Sequence, residues 1–189
     1  MRIVYFVDEF PPFFRGGLGT YAMEITKEYI RTGSNITVFS RNTGKDPTND
    51  VWNGVNVHRP VLMDITDILP IVSPGDVMNW DQNGQRFFME TLFYNFLSAS
   101  KLVNSLVAMD KERYDIAVSH DWLAFIAGIV AQSNLNLPLV VHYHSTEVGR
   151  TGNGSDTIKD IERMAAQKAD LIVTVSYAMR DELVKLGYP

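Results

Sequence analysis

The sequence predicts an α/β domain built on a doubly wound parallel sheet. Short apolar runs alternate with segments of helical periodicity over most of the 189 residues. The runs are apolar on both faces, as in strands buried within a parallel sheet. The composition, 46% hydrophobic and 21% charged, is globular. One domain of ordinary size is expected over residues 1–189.

Ile3 to Val7 (IVYFV) is the first strand, ending at Asp8. After a turn-rich stretch, Leu18, Tyr21, Ala22, Ile25 and Tyr29 recur at helical spacing, and Gly33 closes that helix. Ile36 to Ser40 is the second strand. Residues 41–54 are polar and rich in Asn, Asp and Gly, and read as a loop. Val55 to Val57 is a short strand. Residues 60–80 carry Pro60, Pro70 and Pro74-Gly75 among apolar residues, and no regular element is assigned there. Long irregular stretches are often functional loops, so a mobile flap over a cleft is expected.

Residues 84–109 form the strongest helical pattern, with Phe88, Leu92, Phe96, Ala99, Val103 and Leu106 on one face. Asp115 to Ser119 is a strand, Trp122 to Ser133 an apolar helix, and Leu139 to Tyr143 a strand behind Pro138. Thr157 caps a helix in which Ile158, Ile161 and Ala165 share a face, with Asp160 completing a T-x-x-D cap. Leu171 to Val175 and Tyr177 to Leu186 are the last strand and helix.

Several function classes lose support. Net charge is −5 with no basic stripe, which argues against nucleic-acid binding. No apolar run approaches the ~20 residues of a membrane span, and the N-terminus lacks a signal-peptide pattern. A soluble, cytoplasmic protein is expected. Without cysteine there are no disulfides or thiolate metal sites. No G-x-G-x-x-G, Walker loop, G-x-S-x-G elbow or H-E-x-x-H occurs.

Ligands of open α/β sheets bind beyond the C-terminal ends of the strands. Three polar segments lie at such ends. In FFRGGLG, Gly16 and Gly17 can take positive φ and admit a ligand close to the backbone, the following helix offers free N–H groups, and Arg15 adds charge. This is either an anion site, most simply for a diphosphate, or a tight strand–helix turn. In Ser119-His120-Asp121-Trp122, Asp121 is either a helix N-cap or a ligand-side carboxylate, and Trp122 is either core or a surface for stacking on a sugar. In HYHSTEVGR, His142 and His144 are expected to point to opposite faces, with no third nitrogen or sulfur ligand nearby, so no metal is expected. Glu147 and Arg150 form a local ion pair or border a cleft. Asp8-Glu9 are solvated charges or bind sugar hydroxyls.

In order and spacing, five groups of residues resemble the N-terminal domain of glycogen and starch synthases and related retaining glycosyltransferases of families 4 and 5. They are Glu9-Phe10-Pro11-Pro12; Gly16-Gly17-Leu18-Gly19; His120-Asp121-Trp122; His144-Ser145-Thr146-Glu147 with Gly149-Arg150; and Ala169-Asp170 with Val175-Ser176. The resemblance implies the N-terminal half of a GT-B fold, a Rossmann-like acceptor domain. Its C-terminal nucleotide-sugar partner domain is expected to be absent from this chain. It implies glucose transfer from ADP-glucose or UDP-glucose to an α-glucan or related sugar acceptor, with retention and with no metal or cofactor. It places His144 on the transferring sugar as the catalytic residue, and Arg15, Gly16 and Gly17 at the donor phosphates. Glu9, His120, Asp121 and Trp122 fall on the acceptor side. Asp8, Gly19, Thr146, Glu147 and Arg150 border the cleft. By the same resemblance the chain alone is expected to be inactive. A sugar-nucleotide epimerase of the same architecture and a non-enzymatic flavodoxin-like binding domain stay open as alternatives.

Overall fold

A computed structural model describes residues 1–13, 16–72 and 75–189. The chain runs β1 (Arg2–Phe6), α1 (Gly17–Arg31), β2 (Asn35–Phe39), β3 (Asn49–Trp52), β4 (Val55–His58), α2 (Leu69–Val72) and α3 (Gln82–Ser100). It continues as β5 (Ile116–His120), α4 (Asp121–Leu135), β6 (Leu139–Tyr143), α5 (Glu147–Thr151), α6 (Asp156–Lys168), β7 (Leu171–Thr174) and α7 (Tyr177–Lys185).

The strands make one sheet in the order β3-β4-β2-β1-β5-β6-β7, parallel throughout except where β3 pairs antiparallel with β4. The chain builds outward on one side of β1, then crosses to the other side with β5. The order therefore reverses between β1 and β5, which is where doubly wound sheets open a crevice at their C-terminal ends.

Strand periodicity sorts the core into two layers. Ile3, Tyr5 and Val7 join Ile36, Val38, Val55 and Val57 beneath α1. Val4 and Phe6 join Phe39, Ala117, Leu139 and Val141 beneath α3, α4 and α6. Burying each large side chain contributes about 1.5–3 kcal/mol. Helix α4 lies close on the sheet at Gly128, where a Cβ would come 2.6 Å from Ser119 Oγ and 2.9 Å from Leu139 Cδ1.

Four segments differ from expectation. The loop expected over residues 41–54 contains β3. Asn53 and Gly54 both have positive φ, 48° and 84°, as a two-residue hairpin turn requires, and this returns the chain along β4. The helix expected over residues 84–109 begins at Gln82, where Asp81 caps it by accepting the Gly84 N–H at 2.7 Å. From Lys101 to Val107 it widens to a π-helix. Helix α6 is capped by Ser155 rather than Thr157, because the Thr157 hydroxyl bonds to Asp76 instead. The flap expected over residues 60–80 is tied down within its described part: Leu69 and Val77 are buried, and Asp76 accepts the Ser155 hydroxyl at 2.5 Å. The expected turn residue Pro74 lies outside the described residues.

Candidate active site

The C-terminal ends of β1, β5 and β6 bring the three polar segments to one rim. After β1, Asp8 Oδ1 accepts from Arg41 Nε at 2.6 Å. Arg41 also donates to Thr91 Oγ1 at 2.7 Å and lies 4.7 Å over the Phe87 ring. Burial raises the Asp8 pKa, and Arg41 opposes the rise. A cavity of about 460 Å³, lined by Asp8, Glu9, Phe13, Arg41 and Phe87, opens here. Pockets of this size accept small ligands.

Gly16 caps α1, and its N–H donates to Glu9 Oε2 at 3.2 Å. Neither Gly16 nor Gly17 takes the expected positive φ; Gly16 is extended at φ −144°. Space is open at this turn: a Cβ at Gly17 would meet nothing within 4 Å among the described residues. The N-terminus of a helix faces that space, a setting that favours an anion. Gly19 is buried inside α1. Arg15 lies outside the described residues.

One turn into α1, Tyr21 reaches the histidines. Its hydroxyl lies 3.3 Å from His142 Nδ1, and its ring centroid is 4.8 Å from that of His144. His142 and His144 share a face of the sheet rather than opposing each other, because residues i and i+2 of a strand point the same way. β5 adds a third ring in register, with His120 paired to His142. His120 Nδ1 lies 3.0 Å from His144 Nε2, while His120 Nε2 is buried with no hydrogen-bond partner among the described residues. Burial, with its two histidine neighbours adding repulsion, holds His120 well below the ordinary 6.5. Burial and His144 lower His142 to about 4, and burial lowers His144 to about 4. At neutral pH all three rings are uncharged. His120 is 0% exposed, so it bears on the site through His144 rather than by touching an acceptor.

Asp121 has a left-handed backbone, φ 51°. Its carboxylate does not cap α4; Oδ1 accepts the His144 backbone N–H at 2.8 Å. Burial raises its pKa to about 6, opposed by the N–H groups of His144 and Ser145. Trp122 is 6% exposed and stacks on Phe88, with Phe87 edge-on. It is core, and it offers no face to a sugar.

Thr146 caps α5 by accepting the Gly149 N–H at 2.9 Å, and its hydroxyl donates to Glu182. Glu147 and Arg150 do pair, at 2.9 Å, but Arg150 also meets Glu162 at 3.2 Å and the Ser145 hydroxyl at 2.7 Å. Glu162 accepts the Glu147 backbone N–H at 2.8 Å. Sequence reasoning missed Glu162, Arg41 and Tyr21, because each is brought in by tertiary packing rather than by a local motif. Only Tyr21 left a trace, as one of the apolar-face residues of α1.

The model for Glycosyltransferase Family 4 matches residues 15–189. The chain belongs to glycosyltransferase family 4. This family-4 chain is 26% identical over 191 residues to an uncharacterized glycosyltransferase of Methanocaldococcus jannaschii, covering 98% of the chain and 43% of that protein. It is 26% identical over 200 residues to a glycogen synthase of Mycobacterium tuberculosis, covering 100% of the chain and 45% of that protein. Among solved structures it resembles the sucrose-phosphate synthase of Thermosynechococcus elongatus, with TM-score 0.66 and 16% identity over 97% of the chain and 44% of that structure. The fold of the family-4 chain is thus that of an N-terminal GT-B domain. It spans less than half the length of the relatives it matches.

Proposed function

We propose that this chain is the acceptor-side domain of a retaining glycosyltransferase that moves glucose from ADP-glucose or UDP-glucose to an α-glucan or related sugar acceptor. The observation that carries the reading is the convergence of the α1 N-terminus, Asp121 and the neutral His144 at one strand-end rim. In this reading the open space at Gly16 and Gly17, with Arg15, takes the donor diphosphate. A neutral His144 hydrogen-bonds the transferring sugar. Asp8, Glu9 and Asp121 bind acceptor hydroxyls, and Glu147 and Arg150 stiffen the cleft wall. Catalysis of this kind rests on positioning and on stabilising a charged leaving group, and the transfer itself needs no metal. The similarity to a glycogen synthase supports a glucan acceptor and glycogen biosynthesis.

A second, nucleotide-sugar domain completes the proposed site, so the 189-residue chain alone is inactive in this reading. The test is product analysis of the whole protein with ADP-glucose and UDP-glucose against maltooligosaccharides. Chain extension through an α-linkage supports the proposal. Epimerisation of the donor without acceptor, or robust turnover by the 189 residues alone, overturns it.

A further inference from the structure

We propose that His120, His142 and His144 form a binding site for one zinc-type divalent ion, and that an ion bound there inhibits transfer. The three side chains each offer one ring nitrogen, and these nitrogens lie within 4.8 Å of one another. The fold sets this arrangement rigidly. Two of the rings come from register partners on adjacent parallel strands, and the third comes from the same face two residues on. Zinc–nitrogen bonds of about 2.0–2.1 Å in a tetrahedral site put neighbouring ligand atoms about 3.3 Å apart. His120 Nδ1 and His144 Nε2 are already 3.0 Å apart, close to that spacing.

The ring nitrogens that meet in this contact suit an ion as well as a hydrogen bond. A neutral imidazole has one donor and one acceptor. The His120–His144 contact uses one nitrogen of each ring and leaves His120 Nε2 buried without a partner among the described residues. An ion replaces that contact with two ligand bonds from the same nitrogens, and His120 Nε2 remains an N–H without a partner among the described residues in either state. A set of three imidazoles and no thiolate selects Zn²⁺, Co²⁺, Ni²⁺ or Cu²⁺, and discriminates against Mg²⁺ and Ca²⁺, which take oxygen ligands. Water fills the fourth position, as in open three-histidine sites. The inhibition rests on the role given to His144 above, because an ion on Nε2 leaves Nδ1 as an N–H that no longer accepts a sugar hydroxyl proton.

These 189 residues hold four histidines and no cysteine, so His58 is the histidine control within them. The whole protein, without a histidine tag, is dialysed against Zn²⁺ and titrated with Co²⁺, alongside its His142→Gln, His144→Gln and His58→Gln variants. Expected are one more ion per chain in the wild type and the His58 variant than in the other two, an intense tetrahedral Co²⁺ spectrum, and a Zn²⁺-dependent rise in melting temperature in the same two proteins. If His142→Gln fails to fold, the partly exposed His144→Gln carries the comparison. Equal ion uptake in all four proteins, a weak octahedral spectrum, or displacement by Mg²⁺ overturns the site. Transfer that continues undiminished with the ion bound leaves the site standing and overturns the role of His144.

Discussion

Asp121 Oδ1 accepts the backbone N–H of His144 at 2.8 Å from a residue held at φ 51°. The end of β5 thereby sets where the chain leaving β6 begins. Two segments separated by 23 positions are locked at the point where the proposed reaction occurs. A left-handed conformation suits Asp, Asn and Gly far better than Ala.

That combination separates two effects by mutation. Asp121→Asn keeps an acceptor oxygen and the tolerance for positive φ, and Asp121→Gly keeps only the tolerance. Asp121→Ala loses both. Expected destabilisation rises in that order, reaching about 2–4 kcal/mol for Ala from a lost buried hydrogen bond plus backbone strain. Transfer by the whole protein should fall for Gly and Ala alike, because both release His144. Urea unfolding and initial rates check this, and equal stability of the Gly and Ala variants would contradict the strain argument.

Asp8 and Arg41 form a pair with side chains 12% and 11% exposed. Removing Arg41 leaves Asp8 as an uncompensated charge out of water, whereas removing Asp8 leaves Arg41 with Glu90 at 3.8 Å. Arg41→Met should cost about 3–5 kcal/mol. Asp8→Asn should cost less, because burial already works against the ionised Asp8. The double variant should recover part of the Arg41→Met loss. Thermal unfolding of the three variants checks this. Additive losses would mean that the pair is not coupled.

The elements legible in the sequence are those whose signal is local. β1, β2, β5 and β6 are buried on both faces and read as short, largely apolar runs. β3 alternates exposed and half-buried along Asn-Asp-Val-Trp at the sheet edge, so its apolar content is low. Its one clear signal, Asn53-Gly54, sits within a stretch that reads as loop on composition. α5 has five residues, too few for a helical period. At the site, the rim was legible because strand ends and polar motifs coincide. The approach of His120 to His144 was not, since register between strands far apart in sequence is set by the whole sheet. Glu162 sits among charged residues of α6 and reads as surface until α5 and β6 close over it.

Gly128 permits α4 to touch the sheet. A methyl group there would meet Ser119 Oγ, which donates to the Ala124 carbonyl at 2.6 Å and is not free to turn away. Gly128→Ala gains about 1 kcal/mol of helix propensity, against overpacking of about 1–3 kcal/mol in a tight core. With contacts under 3.0 Å on two sides the clash wins, and net destabilisation is expected. Adding Ser119→Gly should restore part of the loss. A Gly128→Ala protein more stable than wild type in urea would show that the helix moves off at little cost.

Glu162 gives a test of electrostatics by pH. It is 1% exposed, and burial raises its pKa from 4.5 to about 7, against the opposing Glu147 N–H and Arg150. Below 4.5 the carboxyl is protonated in both folded and unfolded chains. Between 4.5 and 7 the unfolded chain releases the proton and the folded one retains it, so stability falls as pH rises through that window. The wild-type curve alone does not isolate the effect. His142 and His144 are lowered to about 4, and they add stability as pH rises from 4 toward 6.5. The difference between wild type and Glu162→Gln cancels these shared terms. Whatever its absolute stability, the Gln variant should gain on wild type by about 1–3 kcal/mol between pH 4.5 and 7.5. Parallel urea-unfolding curves across that range would mean that Glu162 titrates as an ordinary surface carboxylate. Arg150 would then hold it ionised, and the Glu147–Arg150–Glu162 cluster would be a salt bridge rather than a proton-bearing joint.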